Sequence, residues 1–169
     1  MLGPAPGLRL AFPTDTCLCR IWLRSIAREL EENVVENVKK GSCLCQAVRY
    51  EVKGVFDSFF LCHCRYCQKD TGSAHAANLF AASAEMKWLS GEDKVRTFNL
   101  PGTRHVRSFC TICGAALPSL QMEGRLLVVP AGSLDDGMAM TPNAHIFVSS
   151  KALWDKDLDQ ITQFEKGPG

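Results

Sequence analysis

The sequence predicts a mainly β domain of short antiparallel strands, preceded by a helical N-terminal extension. Three observations predict it. After residue 40, short alternating or wholly apolar runs recur between Gly, Pro and Asn turns. Residues 16–38, by contrast, contain no Gly or Pro and space Leu23, Ile26, Leu30, Val34 and Val38 at three- and four-residue steps. Seven of the nine cysteines fall in three tight clusters within the second region, a pattern that staples strands together when clusters meet on a metal.

Taken in order, residues 1–13 read as loop, with Gly or Pro at positions 3, 4, 6, 7 and 13. The helix follows, and Arg28 is placed to pair with Glu31 and Glu32 on its next turn. The first 28 residues carry four Arg and a single acid, Asp15. Mitochondrial presequences share that balance, but an extension or docking helix over residues 1–39 is the preferred reading. Ala47–Val52 alternates, with Val48, Tyr50 and Val52 on one face and Arg49 and Glu51 on the other. Val95–Leu100 and Thr103–Phe109 flank Pro101-Gly102 and predict a hairpin. Leu126–Val129 suits a buried strand closed by Pro130, and Ile146–Val148 predicts another after the Pro142-Asn143 turn. The β domain then spans residues 40–167.

Composition supports this class. The 169 residues are 46% hydrophobic and 22% charged, with a formal charge of +1, which excludes general disorder and coiled-coil rods. So small a charge gives no electrostatic attraction to nucleic acid or to an anionic membrane, and neither partner is expected. No uncharged apolar run reaches the roughly 18 to 20 residues needed to span a bilayer. Arg9, Pro13 and Asp15 interrupt any signal-like stretch. An odd cysteine count without such a signal argues for a reducing compartment. The cytoplasm is therefore expected, with mitochondrial targeting by residues 1–30 the lesser alternative.

The cysteines carry the chemistry. In Cys110-Thr111-Ile112-Cys113-Gly114 two thiolates can turn toward one ion, at about 2.3 Å from each sulfur, with Gly suited to the tight knuckle. Cys43-Leu44-Cys45 opens the next strand, and two such pairs brought together by a sheet can complete a closed structural zinc site. Cys62-His63-Cys64-Arg65-Tyr66-Cys67 differs, because three sulfurs within six residues can hold one ion and leave a fourth position open. Zinc with three thiolates is less over-neutralised than with four, and it takes a substrate thiol readily as thiolate. His63 is the alternative fourth ligand. His75, His105 and His145 read as hydrogen-bonded core or surface side chains. Cys17 and Cys19 point apart on a helix and read as ordinary side chains.

These residues resemble the glutathione-dependent formaldehyde-activating enzyme family, which also includes centromere protein V. The resemblance runs from Lys40 to Gly167. It rests on Gly41-Ser42-Cys43-Leu44-Cys45-Gln46-Ala47-Val48-Arg49-Tyr50, on Cys62–Cys67 with Thr71-Gly72-Ser73, and on Ser90-Gly91-Glu92-Asp93. Further matches are Phe109–Gly114, Ala131–Asp136, and Pro142–Phe147 with Trp154. Gln46 stands where the family usually has Gly, and Thr162 where it usually has Pro.

The resemblance implies a β-tent fold of antiparallel sheets pinned by two zinc ions per chain. It implies a structural zinc on Cys43, Cys45, Cys110 and Cys113 and a catalytic zinc on Cys62, Cys64 and Cys67. The implied activity is that of a carbon–sulfur lyase, joining glutathione and formaldehyde to S-(hydroxymethyl)glutathione or cleaving it, with a small-molecule thiol as partner. Arg49, Arg65, Lys69 and Arg107 are candidates to steer the thiol's carboxylates. A non-catalytic zinc-stabilised interaction module is the alternative, with the three-cysteine zinc closed by a fourth protein ligand such as His63, or absent. A redox enzyme like the R-type methionine sulfoxide reductases ranks last, since only Cys17 and Cys19 would remain as nucleophiles.

Overall fold

The computed structural model describes residues 38–167. The expected extension helix, apart from Val38, lies outside them, as do Cys17, Cys19 and the Arg-rich N-terminal stretch. Val38 itself opens a strand instead of closing a helix. It pairs with Lys53 in an antiparallel ladder that continues through Ser42 and Arg49, so the β domain begins two residues before the expected boundary. Sheet pairing has overridden the local helical spacing.

Among the described residues, strands form three sheets. The first has the order β1-β2-β5, built from β1 (Val38–Ser42), β2 (Arg49–Lys53) and β5 (Glu85–Ser90). The second holds β3 (Ser58–Cys62), β4 (Ala76–Ala81), β9 (Ser119–Gln121), β10 (Leu126–Pro130) and β11 (Ala144–Ile146), in the order β11-β3-β4-β10-β9. Its pairings are antiparallel except that β11 joins β3 in parallel. The third is β6 (Val95–Asn99), β7 (Val106–Cys110) and β8 (Ala116–Leu117). Among the described residues one α-helix, α1 (Arg65–Thr71), forms, and it follows β3. No described helix is long and apolar enough to cross a membrane.

The alternation read from residues 47–52 holds. Val48, Tyr50 and Val52 are buried, while Arg49 is exposed and Glu51 half-buried. They meet Leu79, Leu127 and Val129 of the second sheet and Leu117 of the third in one core, so the wholly apolar β10 run sits where its burial demands. Tyr50 carries its hydroxyl into this core. Ser133 Oγ donates to the Pro130 carbonyl at 2.7 Å, which leaves Tyr50 as the donor in its 2.6 Å bond to Ser133 Oγ. Gly41 is required beside it, because a Cβ there would stand 2.3 Å from the Tyr50 ring.

The predicted hairpin is β6–β7, with Val95 opposite Cys110 and Asn99 opposite Val106. Thr103, Arg104 and His105 stay in its loop. Thr103 Oγ1 donates to the Leu100 carbonyl at 2.9 Å and accepts from the His105 N–H at 3.1 Å, and these local bonds replace the ladder. The last strand is shifted from its predicted place. β11 ends at Ile146, since Phe147 takes a left-handed φ of 57° and Val148–Ser150 forms a 3-10 turn.

Candidate metal centres

Two knuckles converge in the first cysteine cluster. Cys43 follows β1, and the Gln46 N–H returns to its carbonyl at 2.8 Å. Cys110 ends β7, and the Gly114 N–H returns to its carbonyl at 2.8 Å. In both, the residue after the second cysteine is left-handed, Gln46 at φ 59° and Gly114 at φ 72°. Glycine takes that conformation without strain and glutamine does not. Gln46 is steadied by Arg49, whose Nη2 donates to Oε1 at 2.6 Å. One sulfur from each of Cys43, Cys45, Cys110 and Cys113 lies within 4.8 Å of the others, and none forms a disulfide.

The thiols of this cluster are strongly unequal. The Ala115 and Cys45 backbone N–H groups hold the Cys113 thiol down to about 6. The Ala47 N–H favours the Cys45 thiolate, yet neighbouring Cys43 pushes that thiol up to about 11. Four crowded sulfurs cannot all ionise without a cation among them, and a tetrahedral cation is what the donor set fits.

The second cluster is assembled from three kinds of backbone. Cys62 is the last residue of β3, Cys64 is the N-cap of α1, and Cys67 lies in its first turn. Cys64 Sγ accepts the Cys67 N–H at 3.5 Å, and the helix stops at Gly72 with φ 64°. The structure makes this segment a helix start, and Gly72 is its stop signal. The three sulfurs lie within 4.8 Å of one another, with no fourth Cys, His, Asp or Glu grouped with them among the described residues. Burial pushes the Cys62 and Cys67 thiols up. Burial also acts on Cys64, but the Cys67 N–H and the two neighbouring thiols outweigh it and hold Cys64 down. A cleft of about 580 Å³ opens on Cys62 and Cys67 and is also lined by Asp70, His105, Arg107 and Ile146.

His63 does not join the sulfurs, and strand geometry explains why. Cys62 is paired with Ala76 on β4 and with Ile146 on β11, and these three pack together with Cys67. Successive side chains on a strand alternate faces, so His63, His75 and His145, each one step along, point the other way. There the His63 ring centroid is 5.1 Å from that of His75 and 5.0 Å from that of His145. His63 Nε2 is 2.7 Å from His145 Nδ1, and its Nδ1 is 2.9 Å from Asp155 Oδ2. His63 and Asp155 are both buried. Burial lowers the His63 pKa, against the opposing pull of Asp155.

The predicted cations divide. Arg107 lines the cleft but is held by Asp70, Nη1 to Oδ1 at 2.6 Å. Arg49 is engaged with Gln46 at the other knuckle. Arg65 and Lys69 are exposed on α1. His105 Nε2 stands 3.6 Å from Asp70 Oδ2. Asp70 and Asp155 are absent from the sequence reading, because each acquires its role only through contacts far along the chain.

Among known proteins, the family model described as "Glutathione-dependent formaldehyde-activating enzyme" matches residues 38–150, two thirds of the chain. No curated protein matches. Among solved structures, the crystal structure of a Rhodobacter sphaeroides protein is similar, with a TM-score of 0.48 and 20% identity, covering 63% of this chain and 98% of that one.

Proposed function

The chain belongs to the glutathione-dependent formaldehyde-activating enzyme family, and on that premise we propose that it is a zinc-dependent carbon–sulfur lyase. Its reaction joins a small thiol, glutathione, to formaldehyde, or runs in reverse. The reading places a structural zinc on Cys43, Cys45, Cys110 and Cys113 and a catalytic zinc on Cys62, Cys64 and Cys67, on a β-tent scaffold, in a reducing compartment. The observation that carries it is the three-sulfur cluster opening on a cleft with no fourth Cys, His, Asp or Glu grouped with it among the described residues. Zinc bound there would supply a Lewis-acidic position that holds the substrate sulfur as thiolate.

The chain's own residues would do the rest. Cys62 and Cys67 line the cleft, and Ile146 and Phe147 add apolar surface to its wall. In the forward direction the thiol loses its proton and its sulfur attacks the carbonyl carbon. The C–S bond forms, the π pair moves to oxygen, and that oxygen takes up a proton. His105, backed by Asp70 on the cleft wall, provides a group to carry it. The form of the interaction-module alternative in which His63 closes the cluster is disfavoured, since His63 faces Asp155 instead.

The test is Cys64→Ser. Thiol-dependent formaldehyde turnover should vanish while the protein stays folded with its four-sulfur site loaded. Retained turnover would sink the proposal.

A further inference from the structure

We propose that His63, His75 and Asp155 form a third metal site, for a divalent cation of borderline softness, distinct from both cysteine clusters. One ligand atom from each of the three lies within 4.8 Å of the others. Two imidazole nitrogens and one carboxylate oxygen with no sulfur suit zinc, cobalt(II) or iron(II). The cysteine clusters, with sulfur alone, suit softer binding.

Hydrogen bonding supports the assignment independently. His63 Nδ1, His75 Nδ1 and Asp155 Oδ2 are each buried without a directed hydrogen bond. Buried polar atoms in native proteins are almost always satisfied, and here three unsatisfied ones belong to the three side chains of one cluster. His63 is fully enclosed, Asp155 is 7% exposed and His75 is half-buried. Their 2.9 Å separation is short, yet the ring N–H direction does not serve it. A shared cation satisfies all three atoms at once.

The surrounding contacts are those of a ligand shell. A metal-bound histidine has its other nitrogen fixed by a hydrogen bond, which sets the tautomer. His63 Nε2 has that partner in His145 Nδ1 at 2.7 Å. His63 Nε2–H then donates, His145 carries its proton on Nε2, and the His63 Nδ1 lone pair is left for the cation. The backbone is also pinned, with Gln68 Nε2 donating to the His63 carbonyl at 2.5 Å and to the Ser150 carbonyl at 2.7 Å. Lys151 Nζ, 3.7 Å from Asp155 Oδ2, flanks the carboxylate from outside. The site lies across the sheet from the three sulfurs, so the ends of β3 and β4 would carry a metal on each face and Asp155 would be tied to both strands.

The experiment is cobalt loading of the full-length protein. Total cobalt is measured by elemental analysis, and cysteine-bound cobalt is counted from its thiolate charge-transfer absorption. The wild type should hold one equivalent more than the thiolate absorption accounts for. His75→Ala and Asp155→Ala should each lose that equivalent and leave the thiolate absorption unchanged, which also reports that the fold is intact. The assignment is overturned if wild-type cobalt equals the thiolate-bound amount at saturation, or if the extra equivalent persists in both variants.

Discussion

Arg107 links the supports of the two cysteine clusters. Its Nη1 lies 2.6 Å from both the Oδ1 and the backbone carbonyl of Asp70 at the end of α1. Its Nη2 donates to the carbonyl of Gly114, the residue after Cys113, at 3.2 Å. Both partners are mostly shielded, so the pair is worth more than an exposed one, on the order of 1 kcal/mol. Arg107→Ala should lower stability by about that much in urea and reduce turnover several-fold by loosening the helix that positions Cys67. Arg107→Lys should rescue little, because an ammonium cannot fork to two acceptors. A variant with wild-type stability and turnover would contradict this role.

The two knuckles make a paired prediction about backbone strain. Gln46 occupies the left-handed position that Gly114 occupies in its counterpart. A Cβ at Gly114 meets nothing within 4 Å, so Gly114→Ala should cost only the conformational penalty of roughly 1–2 kcal/mol. Gln46→Gly should relieve a similar penalty, partly offset by the lost bond to Arg49 and by chain entropy. A net gain of about 0.5 kcal/mol is expected. Thermal denaturation of the zinc-loaded variants measures both, and a stabilising Gly114→Ala would refute the symmetry.

Tyr50 gives a pH-dependent prediction. Burial, with the nearby Asp135 carboxylate, pushes its phenol up to about 12. In the unfolded chain a tyrosine titrates near 10. The folded pKa is the higher one, so the contribution is fully present below about pH 10 and lost as pH rises through about 12. Two units correspond to about 3 kcal/mol. Between pH 9 and pH 11.5 the wild type should therefore lose clearly more stability than Tyr50→Phe. Parallel curves for the two proteins would rule the linkage out.

What was legible in the sequence was what depends on near neighbours. Cysteine spacing, the Gly after Cys113 and the alternation through Tyr50 are local, and each appears where the spacing puts it. The helix after Cys64 was not legible, because α1 spans only seven residues and carries no apolar stripe. The histidine cluster was hidden for a different reason. His63 follows β3, His75 precedes β4 and His145 lies in β11, and they share a face only because Cys62 is in register with Ala76 and Ile146. No single window of sequence contains that register. Phe147 likewise ends its strand through a left-handed turn that an aromatic residue does not advertise.

Metal removal should separate the two cysteine clusters. The four-sulfur cluster joins the β1–β2 knuckle to the β7 knuckle, elements of different sheets, and Cys43 and Cys110 sit in the main core. Emptying it leaves unpaired thiols inside that core and unlinks the sheets. The three-sulfur cluster spans only residues 62–67 at the end of one strand and opens on a cleft. A chelator should therefore strip the three-sulfur metal first, with loss of turnover and little change in circular dichroism. Loss of the four-sulfur metal should follow together with unfolding, because structural zinc of this kind contributes on the order of 10 kcal/mol. Cys110→Ser should reproduce the second phase and Cys64→Ser the first. Zinc release followed with a chromogenic chelator beside circular dichroism resolves the order, and unfolding that coincides with the first zinc released would reverse the assignment of the two clusters.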